Sequence, residues 1–182
     1  MIKIDLKDFE ENYQKYVHTG ELILAQNKLD QPLVCYPNDI EYNKEYVEQN
    51  NILALHTHHS QGCYVSFPGD FVVFYFAEES EIMPFITQVR DKFVEKLKES
   101  LPEHDIFVDN NDIMLDNKKI SGASYSDYLG FFVSYDPDIE LIKHISKKDS
   151  VKVPGGLKGT ELPLNKIEFI LENIMKDYEE RR

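Results

Sequence analysis

Residues 71–76, which read FVVFYF, are the feature that most narrows the folds open to this chain. The run has the length of a β-strand. Because it contains no strongly polar position, neither of its faces is suited to contact with water. We therefore predict a central strand that is buried on both faces.

Helical and extended patterns are mixed along the rest of the chain. Residues 22–25 follow Gly20 and are interpreted as a continuation of the first helix. Apolar spacing and flanking Pro, Gly or Asn residues predict helices at 7–17, 41–49, 81–97, 137–145 and from 164, and strands at 32–36, 52–55, 106–108 and 128–135. This mixture predicts an α+β fold in which helices pack on a mostly antiparallel sheet.

The chain is acidic, with 33 Asp and Glu residues, 20 Lys and Arg residues and a net charge of −13. Nonspecific binding to nucleic acid or to an anionic membrane needs a positive face, so this charge argues against both. No apolar run approaches the length of about 18 residues that spans a membrane, and the N-terminus lacks the order of a signal peptide. We therefore expect a cytoplasmic protein in which Cys35 and Cys63 are reduced. The length and even composition predict one domain over residues 1–182.

Residues 111–124, which read NDIMLDNKKISGAS, have the pattern of a β-hairpin, with an Asp-Asn turn between two extended segments. Lys118 and Lys119 follow the turn in succession. On a strand their side chains point to opposite faces, so only one can reach a cleft. The small residues at 121–124 allow a ligand or another backbone segment to come close. Taken alone, such a hairpin is typical of a solvated sheet edge.

The same hairpin resembles the core motif of the lipoate-protein ligases, within the superfamily of biotin and lipoyl ligases and octanoyltransferases. The resemblance rests on an Asn-Asp-Ile run, a short turn and a Lys-Ile-Ser-Gly-Ala-Ser run. It implies the catalytic-domain fold of that superfamily over residues 32–164. In the family the lysine before the small residues binds the acyl-adenylate, which implies a catalytic role for Lys119. The Asn-Asp pair lies near the phosphates and a magnesium ion, which implies those contacts for Asn111 and Asp112.

The loop before residues 71–76 departs from the family pattern. Lipoate ligases have two arginines, three glycines and a His-Asp pair there, whereas this chain has His56-Thr57, Ser60-Gln61-Gly62 and Ser66-Phe67, followed by the kept Gly69. Phosphate binding is weakened by this change, because a neutral histidine does not replace an arginine that is always charged. By resemblance, the residues expected to bind substrate are His59, Gln61, Gly62, Cys63, Tyr64, Gly69, Ser121, Gly122 and Ala123.

Two other chemistries would depend on residues of two separate loops. Octanoyltransferases use a cysteine in the loop that here reads VPGGLK at 153–158, and no cysteine is present there, so a thioester mechanism is disfavoured. Zinc binding is the second alternative. Residues 56–63 contain histidines and a cysteine, which are residue types that bind zinc, although their spacing matches no zinc motif. The candidate zinc ligands are His56, His58, His59 and Cys63.

The resemblance implies an acyl-protein ligase that activates lipoate or octanoate with ATP and magnesium as an acyl-adenylate. The acyl group is expected against Tyr64 and Phe74, and the acceptor is expected to be a lysine of a lipoyl-domain protein. The family's accessory C-terminal domain is not expected in this chain. Because such acceptors are generally acidic, docking needs a locally basic face. The candidates for that face are Lys118, Lys119, Lys143, Lys147, Lys148, Lys152 and Lys158. The alternative is a catalytically degenerate member that binds a ligand or a protein without turnover.

Overall fold

The backbone forms two β-sheets with helices around them, and the computed structural model describes residues 1–17, 19–37, 41–57, 62–125, 128–147 and 152–182. The strands are β1 (Ile2–Asp5), β2 (Leu22–Gln26), β3 (Leu33–Tyr36), β4 (Leu53–His56), β5 (Tyr64–Ser66), β6 (Phe71–Tyr75), β7 (Ile106–Asp109), β8 (Asp112–Leu115), β9 (Lys118–Tyr125) and β10 (Leu129–Val133). The helices are α1 (Leu6–Asn12), α2 (Lys44–Gln49), α3 (Glu79–Ser100), α4 (Ile139–Ile145) and α5 (Leu164–Arg181), and a 3-10 turn (Tyr13–Lys15) follows α1.

The larger sheet contains the predicted central strand. Its seven strands have the order β1-β2-β6-β10-β9-β8-β7, and apart from the parallel pair β1 and β2 the neighbours are antiparallel. All of β6 is buried. Its odd-numbered residues pack in the core formed with α3 and α5, and its even-numbered residues pack in the core formed with α1 and β3. The prediction of a strand buried on both faces is therefore confirmed.

The smaller sheet lies on the same side of the larger sheet as α1. Its three strands have the order β4-β3-β5, with β3 parallel to β4 and antiparallel to β5. Leu33 and Cys35 of β3 join the core next to the larger sheet, whereas Val34 joins a further core with residues such as Val47 of α2 and Ile145 of α4. This alternation follows from the period of two along a strand. Among the described residues, no helix has the length and apolar character needed to cross a membrane.

The prediction of helix at residues 22–25 is wrong, because these residues belong to β2. Leu22 and Leu24 face the α3 and α5 side, whereas Ile23 and Ala25 face α1. A strand buried on both faces has no polar position to reveal its period, so a short apolar run does not distinguish strand from helix. The sequence patterns also missed β1 and β5. The other predicted elements are present, with ends shifted by a few residues.

Candidate functional site

The predicted hairpin is formed by β8 and β9, and it turns Lys118 and Lys119 in different directions. Asp116 and Asn117 have φ angles of 48° and 63°, as a two-residue type I′ turn requires. Lys118 is exposed, whereas the side chain of Lys119 borders two cavities on the other side of the strand. The hairpin and the opposite orientation of its lysines are thus confirmed.

Lys119 belongs to a network of alternating charges with Asp112, Lys152 and Asp109. The Lys119 ammonium lies 2.9 Å from Asp112 Oδ1, and the Lys152 ammonium lies 2.8 Å from Asp112 Oδ2. Lys152 also lies 2.9 Å from Asp109 Oδ2. Burial by itself raises the pKa of Asp112, but the hydrogen bonds from the two lysines outweigh it and lower that pKa below its usual value. The hydrogen bonds that Lys152 donates to Asp112 and to Asp109 raise the pKa of Lys152. Asp112 and Lys152 therefore both remain charged near neutral pH.

Residues 152–158, here called the strap, carry Lys152 across the hairpin. The Lys119 N–H donates to Val153 O at 2.8 Å, and the Gly155 N–H donates to Lys119 O at 2.8 Å. A Cβ on Gly155 would lie 2.6 Å from Lys118 Cβ, and a Cβ on Gly156 would lie 2.3 Å from Tyr135 O. The two glycines therefore let the strap pack directly against β9 and the end of β10. Sequence reasoning identified this glycine loop but did not assign Lys152 to the site.

An apolar cavity of about 390 Å³ lies between the larger sheet and β5, with Lys119 at its border. The side chains come from alternate positions of β6 and β10, as the period of a strand requires. Its lining residues are Gly62, Cys63, Tyr64, Val72, Phe74, Lys119, Gly122, Ala123, Ser124, Tyr128, Gly130 and Phe132. The predicted substrate-binding residues Gly62, Cys63, Tyr64, Gly122 and Ala123, and the predicted walls Tyr64 and Phe74, thus meet in one place.

A second cavity of about 230 Å³ shares Lys119 and Phe132 with the apolar cavity. It also contains Lys152 from the strap and the predicted residue Ser121. The Ser121 hydroxyl donates to Phe132 O, so it is already engaged with the backbone. Lys119 is consequently positioned between an apolar space and a space with a second cation.

Gly122 has a steric role in the site. A Cβ at this position would lie 2.7 Å from Asp112 Oδ1, 2.9 Å from Lys119 Cε and 3.0 Å from Lys119 Nζ. Such approaches are closer than ordinary van der Waals contacts. The ion pair of Lys119 and Asp112 therefore lies on the sheet at the one place where β9 has no side chain in its way.

Other predicted site residues lie apart from the cavities or outside the described residues. Gly69 is in a turn with φ 88°, and a Cβ there would lie 2.9 Å from the Tyr135 ring; it lines neither of the two cavities described above. Asn111 lies in the turn between β7 and β8, beside Asp112. His58, His59, Ser60 and Gln61 lie outside the described residues.

The zinc hypothesis has no support from the part of the chain that the structure describes. His56 is exposed at the end of β4, where its ring packs edge-on against Tyr36 at 5.5 Å. Cys63 instead lines the apolar cavity. Within the described ranges, no group of three or more His, Cys, Asp or Glu residues is arranged to hold a metal ion.

Several lysines of the expected basic face are paired with carboxylates. Lys143 lies 2.7 Å from Glu140, and Lys158 binds Asp136. Lys119 and Lys152 bind aspartates as described above, and Lys148 lies outside the described residues. The local positive charge of this face is therefore smaller than the number of its lysines indicates.

Comparison with known proteins identifies the fold. No family model and no curated protein sequence matches this chain. A bi-partite lipoate protein ligase from Thermoplasma acidophilum, described with its E2 lipoyl domain, is 14% identical with a TM-score of 0.69, over 97% of this chain and 82% of its own. Lipoate-protein ligase A bound with ATP is 15% identical with a TM-score of 0.68, over 97% of this chain and 84% of its own. The T. acidophilum protein Ta0514 with bound lipoic acid is 16% identical with a TM-score of 0.65, over 92% of this chain and 77% of its own. The resemblance inferred from the hairpin is thus confirmed at the level of tertiary structure, and the chain has the fold of the lipoate-protein ligases.

Proposed function

We propose that this chain is an acyl-protein ligase, which activates lipoate or octanoate with ATP and transfers the acyl group to a lysine of an acceptor protein. The observation that carries the proposal is the position of Lys119 at the border of both cavities. The apolar cavity suits a hydrocarbon tail, and the second cavity offers Lys152 as a further cation for a phosphate. The shared fold with a ligase bound to ATP and with a protein bound to lipoic acid supports this function.

The proposed reaction has two steps. A carboxylate oxygen of the acid attacks the α-phosphorus of ATP, the bond to pyrophosphate breaks, and an acyl-adenylate forms. The amine of the acceptor lysine then attacks the carbonyl carbon, so that an amide forms, AMP leaves and the amine loses a proton. Lys119 would stabilise the negative charge that develops on the carbonyl and phosphate oxygens, because it is held in place beforehand by Asp112.

Magnesium is expected to arrive with ATP. Magnesium commonly uses one or two carboxylates together with substrate phosphates, and Asp109 and Asp112 are the carboxylates next to the two lysines. Asn111 lies beside Asp112 and offers a further oxygen. The ion would offset the charge of the triphosphate.

The second candidate function is a binding module without turnover. The observation in its favour is the absence of arginine from the described residues that line either cavity. The arginines of the chain lie on other elements, with Arg90 on α3 beside Asp91, Arg181 at the end of α5 and Arg182 after it. Lysine binds phosphate as a point charge and lacks the planar fork of arginine, so the site is weaker in this respect.

The test is pyrophosphate release with lipoate, octanoate or biotin in the presence of ATP and magnesium, together with calorimetric titration of each acid. We expect release with lipoate or octanoate, and a loss of about 100-fold in Lys119→Ala, because a preorganised charge is removed. Lys118→Ala is the matched control, since this neighbouring lysine is exposed and points away from both cavities. Acid binding without release would favour the module, and full release by Lys119→Ala would contradict the proposed role of that residue.

A further inference from the structure

Tyr64, one wall of the apolar cavity, is anchored from behind by helix α1. Its ring lines the cavity, and its hydroxyl donates to the carboxylate of Glu10, which is only 4% exposed. Burial raises the pKa of Tyr64 well above its usual value, so the hydroxyl keeps its proton and remains a donor. The direction of this ring is therefore set by residues that do not line the cavity.

Phe74, a second wall, is held by the neighbouring residue of the same helix. The ring of Phe9 stacks on Phe74 with centroids 4.1 Å apart and planes 21° apart. Phe9 also contacts Phe76 at 6.2 Å, and Phe76 stacks at 5.5 Å on Tyr128, a third wall. Stacked aromatic rings at such distances attract one another and restrict each other's movement. Consecutive residues of α1 thus position three aromatic walls of the cavity.

We propose that α1 limits the length of the acid that the apolar cavity accepts, with Glu10 and Phe9 as positioning residues. This inference rests on the proposed function and concerns the selectivity of the same cavity. The cavity volume of about 390 Å³ lies near the lower end of the range of about 300–1,000 Å³ found for ligand sites. An acid whose chain continued past these walls would displace Tyr64 from Glu10 or Phe74 from Phe9.

A series of saturated fatty acids of increasing length tests this inference without ATP. Each further buried CH₂ should tighten binding about fourfold, until the chain meets the aromatic walls and the gain stops. Calorimetric titration of the whole protein should therefore give dissociation constants that fall as the acid lengthens and then stop falling at one chain length. This chain length is here called the break. We expect this break near octanoate. In Glu10→Ala, where Tyr64 is released, the break should move to longer acids, with at least about a tenfold gain for dodecanoate relative to octanoate.

Matched control variants distinguish the positioning of Tyr64 by Glu10 from a general loss of stability. Glu11→Ala removes the next, exposed carboxylate of α1, and Glu10→Gln keeps a hydrogen-bonding group at residue 10, so both should keep the break of the wild type. If Glu10→Ala does not fold, the double variant Glu10→Leu with Tyr64→Leu leaves neither member of this hydrogen bond buried without its partner, and it also shortens the wall. A variant that is only destabilised would weaken binding of all the acids without moving the break.

The outcomes distinguish this inference from the proposed function. If acids bind the wild type and the break stays at the same chain length in Glu10→Ala and in the double variant, the role of α1 is overturned. The ligase proposal would then still stand. A moved break without pyrophosphate release would support the role of α1 and count against the ligase. No binding of any acid to the wild type would overturn both.

Discussion

Lys119 and Asp112 form an ion pair with 2.9 Å between Nζ and Oδ1, and the pair occupies the space that a Cβ of residue 122 would need. A residue with a Cβ at position 122 would collide with both partners. The charge at the centre of the site thus depends on a residue that has no side chain.

Gly122→Ala should displace this ion pair and impair activation of the acid. We expect pyrophosphate release with octanoate to fall by about 100-fold, because a shift of about 1 Å in a catalytic group has effects of that size. Far-UV circular dichroism should be unchanged, since alanine is compatible with a strand and Gly122 does not have a positive φ. If Gly122→Ala releases pyrophosphate at the wild-type rate, activation of the acid does not require the ion pair of Lys119 and Asp112 at this position.

Lys152→Ala should weaken the use of ATP more than the binding of the acid. Lys152 borders the second cavity and not the apolar cavity, and its removal also leaves Asp109 without this cation and Asp112 with one cation fewer. We expect the KM for ATP to rise at least about tenfold, whereas the Kd for octanoate should change less than about threefold. Lys143→Ala, which removes a lysine paired only with an exposed glutamate at the surface, is the control and should change neither constant. Equal effects of the two variants would contradict a role for Lys152.

Asp70 should make the stability depend on pH. This residue is fully buried, and burial raises its pKa to about 7, although the N–H groups of Tyr135 and Phe67 donate to its carboxylate at 2.6 and 2.7 Å and lower the pKa. An unfolded aspartate has a pKa of about 3.9. Between these values the folded state binds more protons than the unfolded state, so the contribution of Asp70 to the free energy of unfolding falls as pH rises from about 4 to about 7.

Asp70→Asn removes this ionisation and so provides the comparison. Urea unfolding of both proteins at about pH 4.5 and about pH 7.5 gives the difference in their free energies of unfolding, and the advantage of the wild type should shrink by about 2–4 kcal/mol at the higher pH. Asp91→Asn changes an exposed aspartate of α3 and should show no such trend. A difference between the wild type and Asp70→Asn that does not vary with pH would contradict the prediction.

Cys63 should report directly on occupancy of the apolar cavity. It lines the cavity and is partly exposed, whereas Cys35 is fully buried, and burial raises the pKa of the Cys35 thiol well above its usual value. A thiol reagent should therefore label Cys63 first. Saturating octanoate should slow this labelling at least about fivefold, as measured by mass spectrometry, while acetate should have little effect. Equal labelling rates with and without octanoate would place the acid elsewhere.

The hairpin was predictable because its determinants are local. The Asp-Asn turn, the extended segments on each side of it and the alternation of Lys118 and Lys119 all follow from neighbouring residues. The pairing of Asp112 with Lys119 lies within the same hairpin, where paired strands bring the two side chains together. In the same way, the uninterrupted apolar run at residues 71–76 identified the central strand without any knowledge of its neighbours.

The features that the sequence did not predict depend on contacts with residues far away along the chain. Residues 22–25 have no polar position to mark a period, and they became a strand because β1 and β6 supply hydrogen bonds on both sides. Gly69 was expected in the substrate site from the family pattern, and the structure adds that it lies in a turn with a positive φ, beside the Tyr135 ring. Neither outcome is visible in the residues themselves.

By itself, then, the sequence determined the α+β class and the hairpin, because these follow from local turn chemistry and apolar patterns, whereas Lys119 was singled out by the resemblance of the hairpin to a known family. Only the tertiary structure decided which other groups meet that lysine. Lys152 reaches Asp112 across 40 residues of chain, and Glu10 reaches Tyr64 across 54. Such contacts arise when strands and helices pack, and neither spacing nor composition specifies them in advance.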